Sequence, residues 1–467
     1  MKLRLDLLQD IRFWIVLFFL LRLYGITNPP LDGASTWRQT DTLMIARNFY
    51  EHDSNILHPT LDFAGEKSGI VGSEFPILNY LIFLISLIFG FENWYGRIIN
   101  LVITSIGTFF FYKVIKRYFS EAAAFNASIV LIVSMWFSYS RNTIPDVFAA
   151  SLCIIALYFA CQYLEEGKVV NFLLYFILAS LGCLSKISAA PILTTLAIPV
   201  LFGQSSIIRK MIFSAGALAI LASVYVWYFI WVPHLNSFGP LGGYYFMGYP
   251  FSMGIQQLQA QWIETLEQFF VTPLKYTGMA FFLFSLYIMI SRKHWVALTS
   301  FLIPMLAFII FVLKSGHCYY INDYYPLVSV PIFAFAVGFG LAQVKSKTLA
   351  SLLLVIVSVE GIANHAHVFQ VRPPLSSLVP LEAALNGIAD PNDLIAINSE
   401  EGNPAPMFCA HRKGWNVTND YLANDENITS LQNRGCKFIV ILKIYGNDIP
   451  LGRQKVYDSE EFTVYKI

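Results

Sequence analysis

The residues that could do chemistry in this chain come in short runs at the edges of long apolar stretches. Trp37-Arg38-Gln39-Thr40-Asp41-Thr42 opens a helical pattern continued by Leu43, Ile45, Ala46 and Phe49. Arg38 and Asp41 lie three residues apart and so share a helix face. Glu74-Phe75-Pro76 precedes a further apolar stretch, and the run Ser140 to Asp146 joins two others, with Pro145-Asp146 marking a helix start. Lys186 stands alone at the tight junction Leu184-Ser185-Lys186-Ile187-Ser188, and His317 to Pro326 gathers His317, Tyr319, Tyr320, Asp323, Tyr324 and Tyr325. Structural duties exist for each type: carboxylates favour helix N-termini, lysines snorkel and tyrosines line aromatic belts. The chemical duties are sharper. A buried carboxylate can take a proton from an attacking hydroxyl, and a cation at a membrane edge can hold a phosphate.

The elements that carry these residues belong to a membrane protein. Of 467 residues, 56% are hydrophobic, 16% aromatic and only 13% charged, where soluble domains carry about 25% charged residues. So little charge cannot cover a water-facing surface. A net charge of +1 argues against a nucleic-acid partner, which selects a strongly basic face. Apolar runs suited to spanning, which needs about 20 residues, are 13–27, 98–113, 122–140, 146–163, 170–185, 190–203, 211–231, 273–291, 295–313, 326–342 and 348–362. No small-residue cleavage site follows the first, so it is expected to stay as a transmembrane helix.

Charge placement sets the expected topology. Basic clusters at Lys2/Arg4/Arg12, Lys113/Lys116/Arg117, Arg209/Lys210, Arg292/Lys293 and Lys345/Lys347 belong on the cytoplasmic side. An even number of crossings must then separate consecutive clusters, so the short stretch 77–90, which begins after Phe75-Pro76, is interfacial or re-entrant. The expected fold is an α-helical polytopic membrane protein with about eleven crossings, the N-terminus inside and the C-terminus outside. The membrane domain covers 1–362, with a long first outer loop at 28–97 carrying interfacial helices and another outer loop at 232–272. There Gly242-Gly243-Tyr244-Tyr245 reads as an ordinary flexible connection or, within a site, a mobile lid. Lys186, Asp146 and the first loop then all face out, and the cytoplasmic loops are too short to host chemistry.

Residues 363–467 change character. Leu394–Ile397, Phe438–Leu442 and Phe462–Tyr465 predict strands, and Leu381–Gly387 a short helix, giving a small α/β extracytoplasmic domain. Cys153, Cys161 and Cys183 lie in apolar helices, where cysteine acts as a small hydrophobe. Cys409 and Cys436 could form a disulfide if the tail is extracytoplasmic.

Taken together, these residues resemble the C-type fold of membrane glycosyltransferases that use polyprenyl-phosphate sugars, the group of the lipid A aminoarabinose transferase and the protein O-mannosyltransferases. The resemblance is carried by Asp-x-x-x-Ile-Ala-Arg from Asp41 to Arg47, Glu74-Phe75-Pro76, Asp146 after the third crossing, Lys186 two crossings later, and the His-x-Tyr-Tyr run ending in Tyr-Pro at 317–326. One departure is visible: relatives often carry an adjacent acidic pair slightly upstream, where this chain has Arg38-Gln39. The resemblance implies an inverting glycosyltransferase of the cytoplasmic membrane. Asp41 would act as base, and Asp146 and Glu74 would orient hydroxyls. Lys186 would hold the phosphate with help from Arg38, Arg141 or His317, and Tyr319 and Tyr320 would line the substrate site. The implied partners are a polyprenyl-phosphate sugar donor, a glycolipid, glycan or protein acceptor, and the bilayer. No metal ligands are assigned; a divalent cation between carboxylates and phosphate is compatible, although no spacing demands one. The alternatives are a flippase or exporter, which requires ionisable residues along the middle of its spans, and a polymerase or ligase of lipid-linked glycans.

Overall fold

The computed structural model describes residues 7–32, 35–239, 241, 248–371, 373–399, 402–446 and 451–467. The chain forms two compact units, Met1–Ile26 with Gly96–Tyr228 and Met247–Phe369, and Thr27–Tyr95 with Phe229–Phe246 and Gln370–Ile467.

Among the described residues, six helices are long and apolar enough to cross a membrane: Tyr95–Tyr118, Pro145–Glu166, Ile207–Ser237, Trp262–Ser291, Trp295–Ser315 and Lys347–His365. Shorter apolar helices occupy Ile11–Leu21, Ile77–Phe89, Glu121–Val133, Val169–Ser185, Ile187–Phe202 and Val330–Ala342. The protein is therefore a mostly helical membrane protein. Ile77–Phe89 has 13 residues, which at 1.5 Å per residue reach about 20 Å against a hydrocarbon core of about 30 Å.

The stretch 232–272, expected as a loop, is largely helical where it is described, over Val232–Phe238, Phe251–Ala260 and Trp262–Leu266. Trp262, Ile263, Leu266, Phe269 and Phe270 recur at helical spacing, a signal easily lost beside Gln and Glu residues. Gly242-Gly243-Tyr244-Tyr245, the expected lid, lies outside the described residues.

The first unit is organised by a helical hairpin. Pro145–Glu166 begins with proline at its first turn and ends at Gly167, whose φ of 73° supplies the left-handed residue that stops the helix. Val169–Ser185 then runs back along it. A Cβ on Gly182 would come within 2.8 Å of the Cys153 sulfur and 3.1 Å of the Ala149 carbonyl oxygen, so the glycine lets the two backbones close up.

In the second unit, helices Thr36–Glu51 and Ile77–Phe89 are tied by Asn79, whose amide donates to the Thr42 carbonyl at 2.7 Å. The ring of Phe49 packs 5.6 Å from Tyr80. The tail carries a five-stranded mixed sheet: β1 (Leu394–Asn398), β2 (Gly414–Val417), β3 (Cys436–Leu442), β4 (Gln454–Asp458) and β5 (Phe462–Lys466), in the order β2-β1-β3-β5-β4. β1 pairs in parallel with β2 and β3, and β5 antiparallel with β3 and β4. Buried Ala396, Ile439 and Ile441 centre its core with Leu431 and Ile428. Residues of the first loop join this sheet, because Gly65 N–H donates to Gly414 O at 2.6 Å and Gly414 N–H to Asp62 O at 2.9 Å. Gly65 has φ +63° with the Trp415 indole where a Cβ would stand, so no other residue fits there. Cys409 and Cys436 are free thiols. Cys409 sits on the helix Pro404–Ala410, whereas Cys436 starts β3 and points its sulfur at the Phe438 carbonyl. Burial pushes both up to about 12.

Candidate active site

Two clusters of the expected residues form, one in each unit. In the second unit the helix Thr36–Glu51 starts after Ser35, which holds φ 66°, an uncommon backbone state for a residue with a Cβ. One turn on, the Arg38 guanidinium divides between two carboxylates. Its Nη2 donates to Glu74 Oε1 at 2.7 Å, and Nη1 lies 3.5 Å from Asp41 Oδ2. The helix places Asp41 beside Arg38, and the Asn79–Thr42 bond ties in the strand of chain that carries Glu74. Asp41 is 3% exposed, and burial without water strengthens every charge interaction in such a group. A carboxylate there that accepted a proton and a guanidinium that bound an anion would exchange partners with little reorganisation.

Asp32 is a residue that sequence reasoning missed. It is buried, and the Gln39 amide donates to its backbone oxygen at 3.3 Å and to its carboxylate at 3.4 Å. The Pro29-Pro30-Leu31-Asp32 run looks like an ordinary loop, and nothing local marks its burial.

In the first unit the hairpin brings Asp146, at the start of one helix, to Lys186, just past the end of the next. Lys186 Nζ is 3.6 Å from Asp146 Oδ1, with side-chain exposures of 13% and 1%. The Lys186 nitrogen also lies 5.9 Å from the centre of the Tyr324 ring, within cation–π range. Tyr324 belongs to the expected run 317–326 but was not singled out in it. Asn100 steadies the Asp146 side, its amide donating to the carbonyls of Asn142 and Ile144 at 2.6 and 2.8 Å.

The remaining expected residues are distributed around the first unit. Arg141 is buried with its guanidinium 4.3 Å from the centre of the Phe369 ring. His317 Nδ1 pairs with the Tyr249 hydroxyl at 2.8 Å. Tyr320 is half-buried. Tyr319 is fully enclosed, its hydroxyl 3.5 Å from the Gln268 carbonyl it donates to. Among the described residues no group of three or more His, Cys, Asp or Glu is arranged to hold a metal ion.

Residues 73–231 match the model of the dolichyl-phosphate-mannose-protein mannosyltransferase family; this segment holds Glu74, Asp146 and Lys186. ArnT from Cupriavidus metallidurans bound to undecaprenyl phosphate matches with a TM-score of 0.62 at 10% identity, over 97% of this chain and 98% of that one. The chain shares its fold with ArnT. The apo form of the same ArnT gives 0.63 at 11% identity, over 97% of each chain. The oligosaccharyltransferase AglB from Archaeoglobus fulgidus, in complex with an inhibitory peptide and a dolichol-phosphate, gives 0.57 at 12% identity, over 92% of this chain and 70% of that one. No curated protein matches the sequence. At these identities it is the fold that this chain shares with ArnT and AglB, and the mannosyltransferase match is confined to residues 73–231.

Proposed function

We propose that the chain transfers a sugar, with inversion, from a polyprenyl-phosphate donor to an acceptor at the outer face of the cytoplasmic membrane. The reading is carried by Lys186, a largely buried cation held on Asp146 and under Tyr324 at the ends of apolar helices. An amphiphile's phosphate meets a protein at that kind of place. It is supported by the end-to-end likeness of fold to a transferase crystallised with undecaprenyl phosphate.

In the reaction, an acceptor hydroxyl oxygen attacks the anomeric carbon on the face opposite the phosphate. The bond from that carbon to the phosphate oxygen breaks, and the polyprenyl phosphate leaves with the electron pair. The hydroxyl proton goes to a carboxylate, assigned to Asp41. Lys186 offsets the charge that develops on the leaving phosphate, assisted by Arg38, Arg141 or His317. Glu74 and Asp146 orient sugar or acceptor hydroxyls, and Tyr320 lines the donor site. Tyr319 is enclosed and more suited to packing. Glycolipid, glycan and protein acceptors all fit this scheme. The topology proposed with it has about eleven crossings, the N-terminus in the cytoplasm, a membrane domain over 1–362 and an extracytoplasmic domain over 363–467.

Transfer from a panel of radiolabelled polyprenyl-phosphate sugars, assayed in native membranes, tests the proposal. The wild type is expected to transfer one of them. Lys186→Ala is expected to lose about 10²–10³-fold in rate, and Lys186→Arg to recover part of it because the charge returns. Equal rates in wild type and Lys186→Ala at matched expression would remove the phosphate role from Lys186. Movement of lipid-linked glycan across the bilayer without transfer would favour the flippase reading, and transfer of an intact oligosaccharide the ligase reading.

A further inference from the structure

The first unit contains a cavity of about 840 Å³ whose lining includes neither Lys186 nor Asp146. It lies along Ile154 to Glu165, the half of helix Pro145–Glu166 that leads away from Asp146. Its walls are apolar, from Phe111, Ile115, Leu157, Ile192, Ile198 and Phe335. Besides Thr195 and Ser300, the polar groups gather where helices end, at Tyr118, Glu165, Gln204, Ser205, Ser206 and Arg209. These are held together. The Tyr118 hydroxyl donates to Glu165 at 2.5 Å, and Arg209 Nη1 donates to the carbonyls of Glu165 and Leu164 at 2.6 and 3.2 Å.

Folded interiors leave few voids larger than a water molecule, and an apolar cavity does not hold water. A space of this size, within the range of small-molecule sites, calls for hydrocarbon, and in a bilayer the hydrocarbon at hand is a lipid chain. The polar mouth calls for a headgroup, and its sign follows from the side chains there. Lys116 pairs with Glu121, Arg117 with Glu165 and Lys168 with Glu166, leaving Arg209 and Lys210 in excess. Pro304 adds to the space, since it cannot donate to the carbonyl of Ser300, and both residues line the cavity.

We infer that this cavity holds an acyl chain of an anionic phospholipid, with its phosphate at the turn carrying Ser206 and Arg209. The site is distinct from Lys186 and Asp146 and stands whether or not the transferase reading does. The lipid acts as a resident part of the packing, so the protein should depend on anionic lipid for its integrity.

The test uses the full chain in nanodiscs of phosphatidylglycerol and phosphatidylcholine, with phosphatidylglycerol bearing a diazirine on one acyl chain as the probe. After irradiation, adducts are expected on peptides spanning 154–165 and 192–206. Unlabelled phosphatidylglycerol should compete about fivefold better than phosphatidylcholine, the effect of one basic residue near an anionic headgroup. Thr195→Phe, which fills the space, should cut adduct yield about tenfold. Should that variant fail to fold, Ser300→Leu occupies the same room and carries the same expectation. Adducts spread equally over other lipid-facing helices such as Lys347–His365 would overturn the site. Equal competition by the two lipids would overturn the anionic headgroup. Displacement of the probe by undecaprenyl phosphate in preference to phosphatidylglycerol would give the cavity to the donor's own tail and overturn the inference.

Discussion

Two arginines on the helix Thr36–Glu51 show how differently the same ion pair can be built. Arg47 is held by three contacts: it pairs with Asp62 at 3.1 Å, donates to the Phe408 carbonyl at 3.1 Å, and lies 4.6 Å from the centre of the Phe408 ring. Asn48 supports it by donating to the other Asp62 oxygen at 2.8 Å. A guanidinium seated on a carboxylate, a carbonyl and a ring is built to stay. Arg38 instead divides between Asp41 and Glu74, one contact short and the other at 3.5 Å, an arrangement in which partners can be exchanged. Arg47 fixes the helix to the tail's helix Pro404–Ala410, and Arg38 bridges two carboxylates.

The comparison breaks most readily at Asp41. Asp41→Asn is expected to slow sugar transfer by about 10²–10⁴-fold, the usual worth of a general base, while circular dichroism keeps the wild-type helix content. A fully active variant would make the Arg38 cluster as structural as that of Arg47. Arg47→Ala should act in the opposite way. It strands Asp62 in a buried setting and costs about 3–5 kcal/mol of stability, read from thermal unfolding in detergent, with turnover per folded molecule unchanged. Arg38→Lys keeps the charge but loses the planar fork that reaches two carboxylates. Rates about tenfold lower without a change in unfolding temperature would sharpen the distinction; a lowered unfolding temperature at full activity would abolish it.

The smallest effect concerns the far end of the same helix. His411 sits between Glu382, 2.7 Å from Nδ1, and Glu51, 2.9 Å from Nε2. The hydrogen bonds His411 donates to Glu382 and then to Glu51 raise it from 6.5 to about 9. At Glu51 burial is the largest influence and pushes the carboxyl up, but the His411 hydrogen bond and the charges of His411, Arg47 and His52 together bring it below 4.5; at Glu382 its own hydrogen bond to His411 is the largest influence and lowers it. A raised histidine stabilises in full below 6.5 and loses that contribution as pH rises through about 9. The lowered carboxylates contribute above 4.5 and lose their share as pH falls below it. Because the group is partly exposed and screened, His411→Gln should cost only about 1 kcal/mol. Unfolding scans should show this difference near pH 6 and its disappearance near pH 10; a difference that grows toward high pH would contradict the clasp.

Much of this was legible from residues alone. The hairpin that joins Asp146 to Lys186 was legible in part, because Pro145-Asp146 marks a helix start and the apolar runs 146–163 and 170–185 have nearly the same reach. β1, β3 and β5 were visible as apolar runs. β2 was not, since Gly414–Val417 is four residues without alternation, and β4 is an edge strand with mostly polar, exposed residues. Asp32 was invisible because its burial comes from Gln39 and from a bridge to Val371, partners remote from any local pattern. Tyr324 stood among several tyrosines, and only its position over Lys186 distinguishes it.

The sequence by itself determined that the chain is a membrane protein, where most of its apolar helices lie, and that its carboxylates and its isolated lysine stand at helix ends. Those follow from hydropathy and helical period, which act over a few turns and need no partner. Tertiary structure alone decided that Arg38 is shared between Asp41 and Glu74, that the first loop adds itself to the tail sheet through Gly65 and Gly414, that Cys409 and Cys436 stay apart, and that the far half of helix Pro145–Glu166 borders an open apolar space. Each depends on which backbones approach closely enough to exchange hydrogen bonds or leave a gap, and that is settled by packing between segments distant in the chain.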